Sequence, residues 1–206
     1  SASASTQLPV AATVERGVRV EIVKKAMGTR IVLASHTTKA LDEKRLRVAL
    51  NAAHAEIVRI ESLMTTWRED SEVSRINAAA GKRAVKVGPE TLAVIRKSLW
   101  ISKRSEGVFD ITFASMGKLW RFDEDWKAAV PDAAALDKAR KRIDYRRIEL
   151  DTAHSSVKLT HSETKINLGG IAKGYAIDRA AAMLRAAGLD SFFAQAGGDL
   201  YVQGRK

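Results

Sequence analysis

Lys165-Ile-Asn-Leu-Gly-Gly-Ile-Ala-Lys-Gly-Tyr-Ala-Ile-Asp178 decides how the chain is read, because a strand-like alternation passes through two glycines into an amphipathic helix. Ile177, Ala180, Ala181 and Leu184 continue the apolar face of that helix, and Gly188 stands at its C-terminal cap position. Such a junction exposes backbone N–H groups at a helix N-terminus. With Lys173 in the first turn it suits a phosphate or pyrophosphate. Equally, two glycines permit close helix–sheet packing and nothing more, and spacing alone leaves both readings open. The stretch lacks the Gly-Lys-Ser/Thr of a Walker A loop and the Gly-x-Gly-x-x-Gly of a dinucleotide-binding Rossmann unit.

Downstream, Phe192 to Ala194 reads as a buried strand, Gly197-Gly198 as a break and Leu200 to Val202 as another strand. Upstream, Ile148 to Leu150, Val157 to Thr160 and Lys165 to Leu168 are three β-like runs whose short connections predict antiparallel pairing. Asp132 opens a short basic helix. Pro89 sits at a first helical position, and Leu92, Ile95 and Leu99 make a buried stripe that ends near Arg104. Leu46, Leu50, Ala53, Ile57, Ile60 and Met64 recur at alternating spacings of four and three, an unbroken stripe on the first long helix. Val18 to Ile22 and Thr29 to Leu33 predict two strands joined at a turn. Mixed order of helices and strands gives an α+β class with a largely antiparallel or mixed sheet packed with helices.

Composition narrows the chemistry. The 206 residues are 46% apolar and carry 35 basic against 24 acidic residues, a formal charge of +11. That admits nucleic acid, a membrane surface or an anionic substrate as partner. The absence of cysteine excludes disulfides, thiol nucleophiles and Cys-based zinc sites. No stretch approaches the ~18 consecutive apolar residues of a membrane span. Six basic residues crowd Lys138 to Arg147, a run that reads more simply as a solvated helix face than as a nucleic-acid surface, since no recognition module accompanies it. The four histidines show no metal-ligand spacing, and His54 flanks the first helix's apolar stripe as a structural residue.

Two more residues attract notice. Asp110, among Val108, Phe109 and Ile111, is a carboxylate in apolar company: either a ligand satisfies it or nearby backbone amides do. Trp67 lies in the polar loop from Thr65 to Glu72, as a lid over the core or a flat surface for stacking a ring.

Together, Met27-Gly28-Thr29, Met64-Thr-Thr-Trp-Arg-Glu-Asp-Ser-Glu-Val-Ser-Arg-Ile-Asn77, Gly107-Val-Phe-Asp-Ile-Thr112 with Leu119-Trp120-Arg-Phe122, and Asn167 to Asp178 followed by Gly197-Gly198-Asp199 resemble the ApbE family, the FAD:protein FMN transferases. The motifs stand in the family's order. The resemblance implies magnesium-dependent transfer of the FMN half of FAD to a threonine hydroxyl of an acceptor flavoprotein, releasing AMP. It implies FAD contacts at Met27, Trp67, Val108, Phe109, Asp110, Asn167 and Lys173, and a magnesium ligand in the backbone carbonyl of Gly170. Asn167 stands where the family usually has Asp. The family also implies a periplasmic, often lipid-anchored protein, the lipidated cysteine lying outside this sequence. The small residues Ser1 to Ser5 are of the kind left after signal cleavage, so residues 1–16 are expected to be a flexible N-terminal segment. Residues 17–206 are then expected to form the N-terminal portion of the transferase domain, lacking its C-terminal third and the motifs that complete the magnesium site. An FAD-binding storage protein and an FAD pyrophosphatase are the alternative activities.

Overall fold

A computed structural model describes residues 17–119 and 132–204. The expected flexible segment 1–16 and the Trp120 to Phe122 part of one motif lie outside the described residues. The architecture is α+β, with two antiparallel sheets.

Strand β1 (Arg19–Ala26) turns into β2 (Thr29–His36), and Ala26 faces Thr29 across a two-residue turn. Met27 and Gly28 both take positive φ, 53° and 67°. A two-residue hairpin whose twist matches its strands needs this geometry, and glycine adopts it without cost. Met27 does not, at of order 1–3 kcal/mol for a non-glycine residue. Its half-buried side chain packs against the core, which offsets part of that cost.

β2 also pairs with β6 (Phe192–Ala196), and β6 with β7 (Asp199–Gln203), giving a sheet ordered β1-β2-β6-β7. Period-two alternation puts Val20, Ile22, Ile31, Leu33, Phe192, Ala194 and Ala196 on one face, all buried. Two helices cover that face: α1 (Glu43–Met64) and α5 (Ala172–Ala186), packed against each other. The stripe read from sequence is the buried face of α1, Leu46 through Met64. Asp42 caps that helix, accepting the Arg45 N–H at 2.8 Å. Alanines on α5 and β6 let helix and sheet approach closely.

The second sheet, ordered β3-β5-β4, holds β3 (Val85–Lys86), β4 (Ile148–Asp151) and β5 (Ser156–Leu159). Here expectation and structure part. Lys165 to Leu168 is no strand, and the third member of this sheet is β3, contributed from far upstream. Alternation at 165–168 is real, since Ile166 and Leu168 are fully buried. It records burial of one face, while the hydrogen bonds go to side chains and to the Ile111 carbonyl instead of a neighbouring strand.

Helix α2 (Glu72–Ala78), not foreseen as an element, follows the Trp67 loop; Ser71 caps it and Val73 and Ile76 bury its inner face. Helices α3 (Pro89–Arg104) and α4 (Ala133–Arg140) occupy the expected stretches, with Pro89 in the first turn and Asp132 as N-cap. After α3 the chain passes through Val108 to Asp110 into a 3₁₀ segment, Ile111–Leu119, kinked at Gly117.

Candidate functional site

One cavity gathers five of the eight residues that the sequence nominated. Val108, Phe109, Asp110, Asn167 and Gly170 line it with Ile111 and Phe113, around a volume of about 240 Å³. Two segments far apart in sequence make it: the loop after α3, and the extended strap Lys165–Gly170 that enters α5. Val108 is 93% exposed, so the rim carries an apolar side chain turned to solvent. Sites for drug-sized ligands enclose roughly 300–1,000 Å³. By that measure the cavity is smaller than a site for a whole drug-sized ligand.

Close approach explains the glycines of the strap. A Cβ on Gly170 would stand 3.3 Å from the Phe109 ring, and one on Gly169 would stand 3.0 Å from Asn167 Oδ1. The Asn167 carboxamide folds back on its own chain, accepting the Gly169 N–H at 2.7 Å. Residue Ile171 is the N-cap of α5 and supplies no side-chain acceptor, so among the described residues no side chain caps the first turn that holds Lys173. Lys173 is half-buried.

Asp110 resolves toward internal satisfaction. Its Oδ1 accepts the backbone N–H and the hydroxyl of Thr112, both at 2.7 Å, and its Oδ2 accepts the Tyr145 N–H at 2.8 Å. Thr112 Oγ1 in turn accepts the Asp144 N–H at 2.9 Å. The carboxylate thus pins the cavity loop to the segment before β4. A second, more open hollow of about 430 Å³ lies beyond Asp110, lined by residues including Lys103, Glu106, Tyr145 and Arg146.

Met27, Trp67 and Lys173 are not among the residues lining the cavity. Trp67 is 89% exposed in the α1–α2 loop. Met27 lies in the β1–β2 turn, at the same sheet end as the Gly197-Gly198 turn, since Thr29 Oγ1 lies 2.8 Å from an ideal Cβ on Gly197. The first turn of α5 reaches that end as well, with Asp199 Oδ1 3.5 Å from an ideal Cβ on Gly174.

Electrostatics elsewhere are structural. The basic run is largely engaged: Arg142 pairs with Glu163 at 3.0 Å, Arg146 with Asp144 at 2.8 Å, and Arg147 donates to the carbonyls of Lys141 and Arg142. Not foreseen from sequence is a network across three helices. Glu56 of α1 accepts from Arg59 at 2.7 Å and from Arg179 of α5 at 3.3 Å, and Arg59 also reaches Glu90 of α3 at 2.6 Å. Hydrogen bonding to Arg59 holds the Glu56 carboxyl below its ordinary value. Burial pushes the His54 imidazole down.

Among the described residues no group of three or more His, Asp or Glu side chains comes together to hold a metal. The Gly170 carbonyl is a single donor, so the magnesium that the resemblance implies does not fit a site built from these residues alone. No helix of the described residues is long and apolar enough to cross a membrane.

A glycine-flanked cavity where an extended strap enters a helix, on an α+β frame of two antiparallel sheets, is the arrangement by which the chain is placed in a class. Residues 27–206 match the ApbE family, and the chain belongs to it. It is 30% identical to the FAD:protein FMN transferase of Treponema pallidum over 89% of this chain and 53% of that protein. It is 28% identical to the protein of that name from Vibrio cholerae over 79% of this chain and 48% of that one. Among solved structures, the ApbE protein of Thermotoga maritima superposes with a TM-score of 0.81 at 28% identity, covering 92% of this chain and 60% of that one. The flavin transferase ApbE of Vibrio cholerae gives 0.79 at 24% identity and shares the fold. The chain spans about half the length of the curated relatives it matches.

Proposed function

We propose that this protein serves the transfer of FMN from FAD to a threonine hydroxyl of an acceptor flavoprotein. The observation that supports this most directly is the convergence of Val108, Phe109, Asp110, Asn167 and Gly170 on one cavity in a chain whose relatives are named FAD:protein FMN transferases. In the transfer, the threonine Oγ attacks the phosphorus on the FMN side of the FAD phosphoanhydride. A P–O bond to threonine forms, the P–O bond to the bridging oxygen breaks, and AMP leaves with that electron pair while the hydroxyl proton is released.

Such a displacement depends on positioning and charge stabilisation more than on covalent help. Gly169 and Gly170 let the backbone come close to a pyrophosphate, the uncapped first turn of α5 offers partial positive charge, and Lys173 offers a full one. Phe109 and Val108 supply apolar walls for a ring. Magnesium, when bound, would neutralise charge on the phosphoanhydride. Of these residues only the Gly170 carbonyl would ligate it. A periplasmic location, with a lipid anchor outside this sequence, belongs to the same proposal and rests on the family resemblance.

Incubating the natural gene product with FAD, magnesium and an acceptor domain tests the reading by mass spectrometry. An FMN mass increment on the acceptor threonine is the expected result. No adduct on a demonstrably competent acceptor overturns the proposal; AMP release without acceptor then indicates FAD hydrolysis, and FAD binding without turnover indicates storage.

A further inference from the structure

The strap that carries Asn167 and Gly170 into the cavity wall belongs to no sheet, yet its backbone polar groups are paired in the manner of a strand. Ile166 donates its N–H to Asn77 Oδ1 at 2.8 Å, and Asn77 Nδ2 donates to the Ile166 carbonyl at 2.9 Å. One side-chain amide therefore meets both backbone groups of one residue, the contact a neighbouring strand would make. On either side, Lys165 exchanges hydrogen bonds with Ser115 Oγ at 2.9 and 3.2 Å, and the Asn167 N–H donates to the Ile111 carbonyl at 3.0 Å. The Lys165 ammonium closes the arrangement by donating to the Asn77 carbonyl.

We propose that Asn77 is a positioning residue for the cavity's ligand: it fixes the strap's height and register, and so sets where Asn167 and the Gly170 backbone stand in the wall. The ligand half of this rests on the reading that the cavity binds FAD. Ile166 and Leu168 are buried and hold the strap against the core through their side chains. Apolar contact is non-directional and leaves sliding along the strap poorly opposed. Directional bonds oppose it, and Asn77 makes two of them from α2, a helix anchored independently by its Ser71 cap and by Val73 and Ile76.

Two variants of the natural gene product test this. Asn77→Asp keeps the size of the side chain and the acceptor for the Ile166 N–H but loses the donor to the Ile166 carbonyl. Asn77→Ala loses both. Each is expected to weaken FAD binding about tenfold, the factor that an unsatisfied buried polar group carries. In Asn77→Ala the amides of residues 165–170 should also exchange with solvent faster. A purely structural role would lower the melting temperature and leave the FAD dissociation constant of the folded protein unchanged, and that result in folded Asn77→Asp overturns the proposal. Should both variants fail to fold, Ser115→Ala removes one anchor of the same strap and is expected to weaken FAD binding, an unchanged dissociation constant again overturning it. If the unsubstituted protein binds no FAD, the functional reading fails and takes the ligand half with it. Exchange at 165–170 then decides the clamp by itself, and unaltered exchange in Asn77→Ala sinks that too.

Discussion

A tryptophan left 89% exposed sacrifices apolar burial that a core position would supply, and at Trp67 the fold receives nothing visible in return. The Trp67 backbone N–H donates to Thr65 Oγ1 at 3.1 Å, which shapes the loop, while the indole makes no hydrogen bond among the described residues. If the ring stacks on a flavin or adenine, its whole contribution lies in the complex. Trp67→Ala should therefore weaken FAD binding by roughly 1–3 kcal/mol, by analogy with base–aromatic stacking. The melting temperature of the free protein should stay as it was. An unaltered FAD dissociation constant, measured by fluorescence titration, would remove Trp67 from the site. Asp110 presents the opposite case, its oxygens held by Thr112 and Tyr145, so its substitution would disturb the loop whether or not a ligand is present.

Helix α1 shows how much a regular element declares about itself. Leu46, Leu50, Ala53, Ile57, Ile60 and Met64 were legible because period and burial coincide over the helix's whole length, and all six are buried. Leu50→Ala should cost about 2–5 kcal/mol of unfolding free energy. Val48→Ala, exposed on the same helix, should stay within about 0.5 kcal/mol, with denaturant titration separating the two. Equal losses would mean that α1 does not present this face to the sheet. The strap 165–170 was only half legible. Its alternation announced burial of Ile166 and Leu168, but a sequence does not say whether backbone groups will find a strand or a side chain, and Asn77 lies 89 residues away. Family likeness nominated the residues that line the cavity, glycine spacing alone having left close packing as an equal reading, and the division of labour was not legible: Asp110 turned inward, and Asn167 looped onto Gly169. Helix α2 was missed although Ser71 stands at its N-cap and Val73 and Ile76 at helical spacing, because seven residues give too short a period to stand out from a loop.

At the scale of the molecule, what ties the helical layer together is charge as well as apolar contact. Glu56, Arg59, Glu90 and Arg179 link α1, α3 and α5, and the Glu56 side chain is only 10% exposed, so its hydrogen bonds are shielded from water better than those of a surface pair. Titration gives the network a signature separable from that of His54. Burial lowers the His54 pKa, so the unfolded chain takes up its proton first and stability falls as pH drops below the ordinary imidazole value of about 6.5. Glu56 is depressed chiefly by its bond to Arg59. Its contribution is complete above the ordinary carboxylate value of about 4.3 and is lost as pH falls through the lower folded value. Glu56→Gln should thus lower stability by about 1 kcal/mol at pH 7. The deficit relative to the unsubstituted protein should hold constant down to about pH 5 and shrink below about pH 4, as the unsubstituted protein loses what the variant never had. Thermal melts from pH 3 to pH 8 would read this directly. A deficit that stays constant through the acid range would mean that the carboxylate charge plays no part in joining the three helices.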